Sequence, residues 1–556
     1  MTEGFTPKLL TTWREGYGRA ELRADAIAGL TVAIVALPLA MALGIASGAS
    51  PDKGLITAVV AGFLISALGG SRLQVGGPTG AFVVVIFNVI AVHGYEGLLL
   101  ATLLAGLILL AAGFAGLGRL IRFVPNPVIT GFTAGIAVII ASSQVKDFLG
   151  LPLSEVPAEF IPQWLAYLGA ITRLSPATLA VGLGALGLIL VLKKVAPRLP
   201  GYLIAVVAGS AAVGLLDLSV DTVGSRFPEI PAGLPMPGLP AITLAKVQAV
   251  MPSAFTIAFL AGIEALLSAV VADGMAGTRH RPNQELIGQG VANFASGLFG
   301  GLPATGAIAR TATNIRAGAR TPVSGMFHAA FLLLFVLFAT DLMAYVPMAA
   351  LAAILFTVAL GMSEYRRFAQ LLRMPGGDRA VLLLTFALTV LVDLTTAIAV
   401  GVTLASLLFM MRMSEAVQVE GRSAIEAKPD LDDDGTRQRE GLPPGVEVFR
   451  IAGPFFFGVA GDLLETLRNL GQRPKAVILR MRRMPFLDAS GAAALDQFVE
   501  QAKSDGIRVI FSGVQPQAME VLARTGLGRE SARVDHAPDY PAALEMARAE
   551  IAGRAA

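Results

Sequence analysis

The sequence predicts an α-helical polytopic membrane protein of about 14 helices in a 7+7 inverted repeat, followed by a C-terminal cytoplasmic α/β domain. Three observations support this fold class. Of the 556 residues, 54% are hydrophobic and 15% are charged, with a mean hydropathy of +0.68, whereas soluble domains carry about 25% charged residues. Uncharged runs alternate with short basic loops, and one Gly/Pro-rich segment occurs twice.

The uncharged runs locate the membrane part of the chain. The first run, 26–46, follows a basic segment and precedes many others, so we interpret it as a retained spanning helix and not as a cleaved signal. The later runs lie near 54–69, 75–93, 97–117, 128–145, 175–192, 202–218, 255–272, 284–299, 303–313, 322–340, 343–361, 380–392 and 395–411. The predicted parts are an N-terminal segment 1–25, a transmembrane domain 26–413, a polar linker 414–444 and a soluble domain 445–556.

Loop charges predict the orientation of the helices, because Lys and Arg concentrate in cytoplasmic loops. With the N-terminus inside, the inward loops hold Arg72, Arg119, Arg122, Lys193, Lys194, Arg198, Arg279, Arg281, Arg316, Arg320, Arg366, Arg367, Arg373 and Arg379. The outward loops hold Lys53, Lys146, Arg173, Arg226 and Lys246. An even number of helices then places both termini in the cytoplasm of a bacterial-type inner membrane.

The repeated segment indicates two related halves. Gly76–Ala81 reads GGPTGA, and Gly300–Ala307 reads GGLPATGA, the same motif with two insertions. If the run 26–46 corresponds to 255–272, each half has about seven helices, and an odd number inverts the second half relative to the first. The alternative is two unrelated helix starts, since Gly and Pro are common in membrane helices.

Two helix starts inside a membrane form a candidate anion site, because free backbone N–H groups and the helix dipole both favour negative charge. Thr79 and Thr305 are predicted as N-caps or hydroxyl donors, and Arg310 either attracts the anion or pairs with a carboxylate. The predicted substrate-binding residues are Thr79, Gly80, Ala81, Phe82, Thr305, Gly306, Ala307, Ile308 and Arg310.

Glu264 is an acidic residue within an apolar run, which makes it a functional candidate. It either carries a proton together with the anion, since burial favours the neutral acid, or holds Na⁺ with Ser268, one turn along the same face. The third interpretation is an ion pair with Arg310 that only joins two helices. The coupling ion, H⁺ or Na⁺, is the only cofactor-like species predicted.

The soluble domain alternates strands and helices. Strands are predicted at 446–451, 476–481 and 507–512, and helices at 461–470, 491–502 and 516–525. Asp488 and Ser490 lie where a strand leads into a helix, and either one caps this helix. A regulatory alternative is a phosphorylated Ser490 or an anion-sensing helix start.

The composition also argues against several functions. The chain has no cysteine and only four scattered histidines, so no metal site is predicted. A net charge of +3 spread over short loops does not suggest nucleic-acid binding. No Gly-rich phosphate loop with its Lys is present, and no enzyme motif stands out.

These motifs resemble those of the sulfate permease (SulP) family, called solute carrier 26 in animals. The resemblance rests on Ala26–Ala33 with Leu37-Pro38, on GGPTGAF from Gly76, and on GIEALLSAVVAD from Gly262. The C-terminal part resembles a STAS domain, whose phosphoserine loop matches Asp488–Gly491.

The resemblance implies a seven-plus-seven inverted repeat with a substrate-carrying core and a gate, an elevator-like movement of the core, and a homodimer. It implies an anion site between the third and tenth helices, at Thr79–Ala81 and Gly306–Ile308. Sodium-coupled bicarbonate relatives have an acid at the position of Glu264 and a hydroxyl at that of Ser268. Eukaryotic sulfate permeases have a Tyr-rich motif where this chain has Ser50–Ile56.

The predicted function is therefore secondary active transport of a small inorganic or carboxylate anion, sulfate-type and coupled to protons. Bicarbonate and dicarboxylates such as fumarate or succinate remain alternatives, with sodium coupling for bicarbonate. A rival from another class is a membrane-anchored regulatory protein that acts on a cytoplasmic partner through the STAS-like domain.

Overall fold

The computed structural model describes residues 5–119, 125–153, 156–157, 159–197, 199–228, 231, 233–415, 418–420, 442–456 and 474–553. The chain divides into two compact units, Met1–Ala405 and Ser406–Ala556. The predicted helix at 461–470 and the loop residues Arg122 and Arg198 lie outside the described residues.

The first unit is helical, with one two-stranded ribbon. Its helices are α1 (Lys8–Glu15), α2 (Arg19–Ala46), α3 (Pro51–Leu68), α4 (Val83–Phe114), α5 (Asn126–Leu149), α6 (Phe160–Ala170), α7 (Pro176–Val195), α8 (Gly201–Leu215), α9 (Val223–Arg226), α10 (Leu244–Ala276), α11 (Pro282–Leu298), α12 (Ile308–Arg316), α13 (Val323–Phe338), α14 (Met348–Met362), α15 (Tyr365–Leu371), α16 (Gly376–Leu391) and α17 (Leu394–Glu415), which continues past Ala405. The ribbon consists of β1 (Gly76–Gly77) and β2 (Thr305–Gly306).

The helix lengths fit a membrane protein. Eight described helical segments are long and apolar enough to cross a bilayer, and α8 and α13 are shorter apolar helices. α4 is broken at Gly94, whose φ of 70° and ψ of 177° are not helical. The two sequence runs 75–93 and 97–117 are therefore two membrane segments that meet at this glycine. The predicted fold class, a polytopic helical protein with a C-terminal α/β domain, is confirmed.

Two helices begin inside the membrane part. α12 has nine residues and spans only about 14 Å, less than half of a bilayer core. The first segment of α4 starts with a 3-10 turn at Gly80–Phe82 and ends at Gly94. Such half-helices are tolerated where other parts of the protein satisfy or enclose their ends.

The order of elements supports the inverted repeat. In the first half, α2, α3, β1 and α4 follow one another, and in the second half α10, α11, β2 and α12 do so. β1 and β2 pair antiparallel, with Gly76 opposite Gly306 and Gly77 opposite Thr305. An antiparallel pair is what a two-fold axis in the membrane plane produces.

Helix packing separates this unit into two groups. α4 packs against α10 and α11, and α13 packs against α2 and α3, so these helices surround the ribbon. In the second group, α5 packs against α14 and α16, and α7 packs against α8 and α14. The grouping agrees with the core and gate that the family resemblance implies.

The second unit is an α/β domain with a five-stranded sheet. The strands are β3 (Gln418–Glu420), β4 (Val446–Ala452), β5 (Ala476–Arg480), β6 (Arg508–Ser512) and β7 (Asp535–Ala537), in that spatial order. β3 is antiparallel to β4, and the other pairs are parallel. The helices are α18 (Ala489–Ser504), α19 (Pro516–Arg524) and α20 (Tyr540–Gly553).

Each face of this sheet has its own apolar core. Phe449 and Leu479 pack with Leu495 and Phe498 of α18 on one face, and Ile478 packs with Leu544 of α20 on the other. The predicted strands and the described predicted helices of this unit are found within two residues of their expected bounds. The interval 414–444 is not purely a linker, because α17 extends to Glu415 and β3 occupies 418–420.

Candidate anion-binding site

The ribbon β1–β2 brings the two half-helix starts together. Besides the pairing of Gly76–Gly77 with Thr305–Gly306, the amide of Ala307 donates to the carbonyl of Val75 at 2.9 Å. The 3-10 turn begins three residues after β1 and α12 begins two residues after β2. The helix starts that were predicted to face each other are therefore joined by backbone hydrogen bonds next to their first turns.

The first helix start is tightly packed. The amide of Phe82 donates to the carbonyl of Thr79 at 3.3 Å, while the amides of Gly80 and Ala81 are the first of the helix and have no partner within it. A Cβ at Gly80 would lie 2.6 Å from the sulfur of Met362, so any larger residue here would displace the Met362 side chain. This start thus offers two backbone donors in a buried setting.

The second helix start differs from the prediction. The N-cap is Ala307, and its amide is already used by the ribbon, so it is not a free donor. The free first-turn amides are those of Ile308 and the next two residues. The side chain of Ile308 is 42% exposed. The prediction that Ala307 donates to an anion is therefore wrong, whereas Ile308 remains a candidate.

The two threonines do not cap the helices. Thr79 occupies the N-cap position, but its hydroxyl donates to Oε2 of Glu264 at 2.8 Å. Thr305 lies in β2, and its hydroxyl donates to the carbonyl of Ala261 at 2.8 Å. Both threonines bind α10 instead, so the prediction of hydroxyl N-caps is wrong. Gly306 packs against the amide group of Gln74, which leaves no room for a Cβ.

Arg310 is buried and has few partners. Its side chain is 2% exposed, and Nη2 donates to the carbonyl of Pro78 at 3.1 Å. Among the described residues, Nε and Nη1 have no hydrogen-bond partner, and Nη1 fills the space where a Cβ of Gly77 would lie. The ion pairs of the described residues do not include Arg310, so the alternative of a pair with Glu264 is not found.

Glu264 and Ser268 lie on α10 but bind different groups. Glu264 is half-buried and accepts from Thr79. Ser268 is fully buried, and its hydroxyl lies 3.2 Å from the hydroxyl of Thr311. Thr311 in turn accepts from the amide of Val75 at 3.1 Å. Ser268 therefore helps to fix the ribbon and is not paired with Glu264.

Sequence reasoning missed several residues around the ribbon. Gln74 donates from Nε2 to the carbonyl of Ala265 at 3.1 Å. Asn293 bonds both the amide and the carbonyl of Ala304 at 2.8 Å. His328 is fully buried, and neither ring nitrogen has a hydrogen-bond partner in the part of the chain that the structure describes. Asn293 and His328 are polar residues inside membrane helices, and this is the signal that points to them.

The predicted regulatory residues lie at the start of α18. Oδ1 of Asp488 accepts from the amide of Gly491 at 2.6 Å, which makes Asp488 the N-cap. The side chain of Ser490, in the first turn, is exposed. Asp488 therefore caps α18, which is the structural alternative to a regulatory role. The exposed hydroxyl of Ser490 can be reached from solvent.

Comparison with known proteins decides the family. Residues 22–385 match the model of the sulfate permease family, and residues 442–537 match that of the STAS domain. The chain belongs to the sulfate permease family. Members of this family are transporters and not enzymes, so the predicted class of function, transmembrane anion transport, is confirmed.

Relatives within the sulfate permease family align along almost the whole chain. The putative sulfate transporter YvdB of Bacillus subtilis is 43% identical over 518 residues, 92% of this chain and 95% of that one. The bicarbonate transporter BicA of Synechocystis is 34% identical over 522 residues, 90% of each chain.

Solved structures show the same fold. SLC26A9 gives a TM-score of 0.84 over 99% of this chain and 94% of that chain, at 17% identity, which is a likeness of fold alone. The transmembrane domain of a cyanobacterial BicA gives a TM-score of 0.62 at 34% identity, over 68% of this chain and 98% of that chain.

Proposed function

We propose that this protein transports a small oxyanion together with a proton, and that the anion binds between the 3-10 turn Gly80–Phe82 and the first turn of α12. The observation that supports this site is the β1–β2 ribbon, which joins two half-helix starts inside the membrane part. Free first-turn amides at both starts are donors for the anion's oxygens.

Arg310 supplies a full positive charge beside this site. Its guanidinium lies against Gly77 and Pro78, just before the 3-10 turn. A buried charge without a counter-charge is unfavourable by several kcal/mol, and a nearby anion offsets this cost. Arg310 therefore acts on the anion through its charge, and the two helix dipoles add a smaller positive potential.

Glu264 is the proposed proton carrier. It is bound to Thr79 at the first helix start, so it lies beside the proposed anion site. When Glu264 takes up a proton, the negative charge that the anion brings is partly balanced. Sodium is less well supported, because Na⁺ requires several oxygen ligands and the hydroxyl of Ser268 is engaged by Thr311.

Sulfate is the substrate that we propose first. YvdB, at 43% identity, is described as a putative sulfate transporter. Bicarbonate is the second candidate, since BicA is 34% identical over 90% of the chain. Both anions present oxygen atoms to backbone amides, so the site geometry accepts either class.

The proposal extends to the assembly and its surroundings. We place the protein in the inner membrane as a homodimer with both termini in the cytoplasm, as the loop charges and the family resemblance predict. The STAS domain would bind a cytoplasmic protein partner, and the exposed Ser490 would be its point of regulation.

Transport by purified protein in liposomes tests the function. Uptake of labelled sulfate, bicarbonate and fumarate is measured under an inward proton gradient, under an inward sodium gradient and under neither. We expect sulfate to accumulate with the proton gradient and to remain near equilibrium with sodium. Accumulation that follows only the sodium gradient, or that ignores both, would contradict proton coupling.

A further inference from the structure

The N-terminal helix α1 has an apolar face that the described residues leave uncovered. Leu10 is 42% exposed and Trp13 is 63% exposed, one helical turn apart. Phe5, just before the helix, is 43% exposed. Thr12, in contrast, is only 2% exposed, so one side of α1 packs against the protein while Leu10 and Trp13 point away from it.

This helix is held firmly on the membrane unit. The amide of Lys8 donates to the carbonyl of Gly69, at the end of α3, at 3.1 Å. Nη1 of Arg281 donates at 2.8 Å to both the carbonyl of Thr6 and the hydroxyl of Thr11. The exposed apolar side chains are therefore fixed in one direction.

The apolar face continues the surface of a membrane helix. Phe5 stacks on Phe114, with ring centroids 6.4 Å apart and an interplanar angle of 19°. Phe114 is the last residue of α4 and is 68% exposed, and the nearby Leu117 is 43% exposed. Since α4 crosses the membrane, this continuity places the apolar face of α1 at the level where the bilayer meets water.

Charged residues of both signs lie beside Lys8. Burial lowers the pKa of Lys8, and the charges of Arg281 and Arg72 lower it further, while Asp273 and Glu15 act in the opposite direction. Arg72 is already paired with Glu15, with Nη1 2.9 Å from Oε2. Arg14, in contrast, is exposed next to Trp13, so it is the basic residue of α1 that can reach an anionic headgroup.

We propose that α1 lies in the membrane interface and binds anionic lipid headgroups. Leu10 and Trp13 enter the boundary of the acyl chains, as apolar residues of interfacial helices do. Arg14, which is exposed next to Trp13, contacts the phosphate groups. Because α1 is tied to α3 and Arg281, this lipid site belongs to the group of helices that surrounds the ribbon.

Tryptophan fluorescence tests the proposal directly, because the chain has only two tryptophans, Trp13 and Trp164. The full-length Trp164→Phe variant is reconstituted with phosphatidylcholine or phosphatidylglycerol brominated near the headgroup end of the acyl chains. We expect strong quenching of Trp13 by both lipids, and stronger quenching by phosphatidylglycerol. If Trp164→Phe does not fold, the difference between wild type and Trp13→Phe gives the same signal.

The charge is tested with Arg14→Gln. Each basic residue near an anionic surface contributes an affinity factor of about five, so the preference for phosphatidylglycerol should fall by up to about five-fold in this variant. Quenching of Trp13 by aqueous acrylamide but not by brominated lipid would overturn the proposal. Quenching by neither reagent would show that protein covers the helix and would also overturn the proposal, and equal quenching by the two lipids would overturn the headgroup site.

Discussion

Glu264 shows what the sequence reveals at the residue scale. An acid in an apolar run is recognisable without coordinates, because a charge in a bilayer is unfavourable. Its partner was not predicted. Thr79 lies 185 residues away in sequence and reaches Glu264 only because the ribbon sets the position of the 3-10 turn. Thr305 was predicted as an N-cap of the second helix start, but its hydroxyl donates to the carbonyl of Ala261 on α10. This contact also depends on the position that the ribbon gives to the residue.

Glu264→Gln tests the proton carrier. Glutamine keeps the size of the side chain and can still accept from Thr79, but it cannot take up a proton. In the wild type, each unit of pH gradient should raise sulfate accumulation up to about tenfold for one coupled proton. We expect accumulation by the variant not to depend on the pH gradient in liposome uptake.

Ser268→Ala is the matched control on the same helix, and it should keep the proton dependence. Proton-driven accumulation that survives in Glu264→Gln at the level of the wild type would remove Glu264 from the coupling mechanism.

Arg310→Ala tests the role of the buried charge in anion affinity. A charge that acts on a bound anion in a buried setting contributes about 1.5–3 kcal/mol, so the half-saturation concentration should rise about tenfold or more. Arg310→Lys keeps the charge and should lose less affinity. An unchanged half-saturation concentration in Arg310→Ala, with normal expression, would leave this residue a structural role only.

At the element scale, the two helix starts of the repeat were predicted from the sequence, whereas the ribbon that joins them was not. The motif Gly76–Ala81 led to the correct expectation of two inverted helix starts. The ribbon places Gly76–Gly77 opposite Thr305–Gly306. The extra residues belong to the turn after α11, where Asn293 binds Ala304. Sequence similarity alone does not reveal such a register.

Gly77→Ala tests the ribbon as the support of the anion site. Gly77 has a φ of +150°, and a Cβ there would collide with Nη1 of Arg310. We expect the guanidinium to move and anion affinity to fall several-fold in uptake assays. The control is Gly94→Ala, which also has a positive φ, +70°, but no atom within 4 Å of the new Cβ.

Gly94→Ala should therefore lower the free energy of unfolding by about 1–3 kcal/mol, because a residue with a Cβ is strained at this φ and ψ, and it should leave the half-saturation concentration unchanged. If both variants lose affinity to the same extent, backbone strain and not the displaced Arg310 would be the cause.

At the scale of the whole molecule, two units with separate cores explain why the division into membrane and soluble parts was predictable. Apolar runs end near α17, and period-two strands follow. The linker was less predictable, since β3 at 418–420 joins the edge of the sheet from within a polar stretch. Edge strands need little apolar sequence because part of their backbone faces water.

Removal of residues 442–556 tests whether transport belongs to the membrane unit. That unit has its own core and contains the whole candidate site, so we expect the shortened protein to retain sulfate uptake in liposomes within about a few-fold of the wild type. Regulation through Ser490 would be lost. Complete loss of uptake by a folded, membrane-inserted variant would support the regulatory alternative instead.

We propose that the anion lies between the two half-helix starts. Because the chain has no cysteine, a thiol introduced at either start can be labelled by itself, so this position is directly testable. Thr79→Cys and Ile308→Cys each introduce a single thiol, one at each helix start, and Ser490→Cys places an exposed control thiol in the soluble unit. The measurement is the rate of labelling by a small charged thiol reagent, with and without saturating sulfate. We expect sulfate to slow labelling at both helix starts and to have no effect at Ser490→Cys. Equal labelling rates with and without sulfate at both helix starts would contradict an anion site between them.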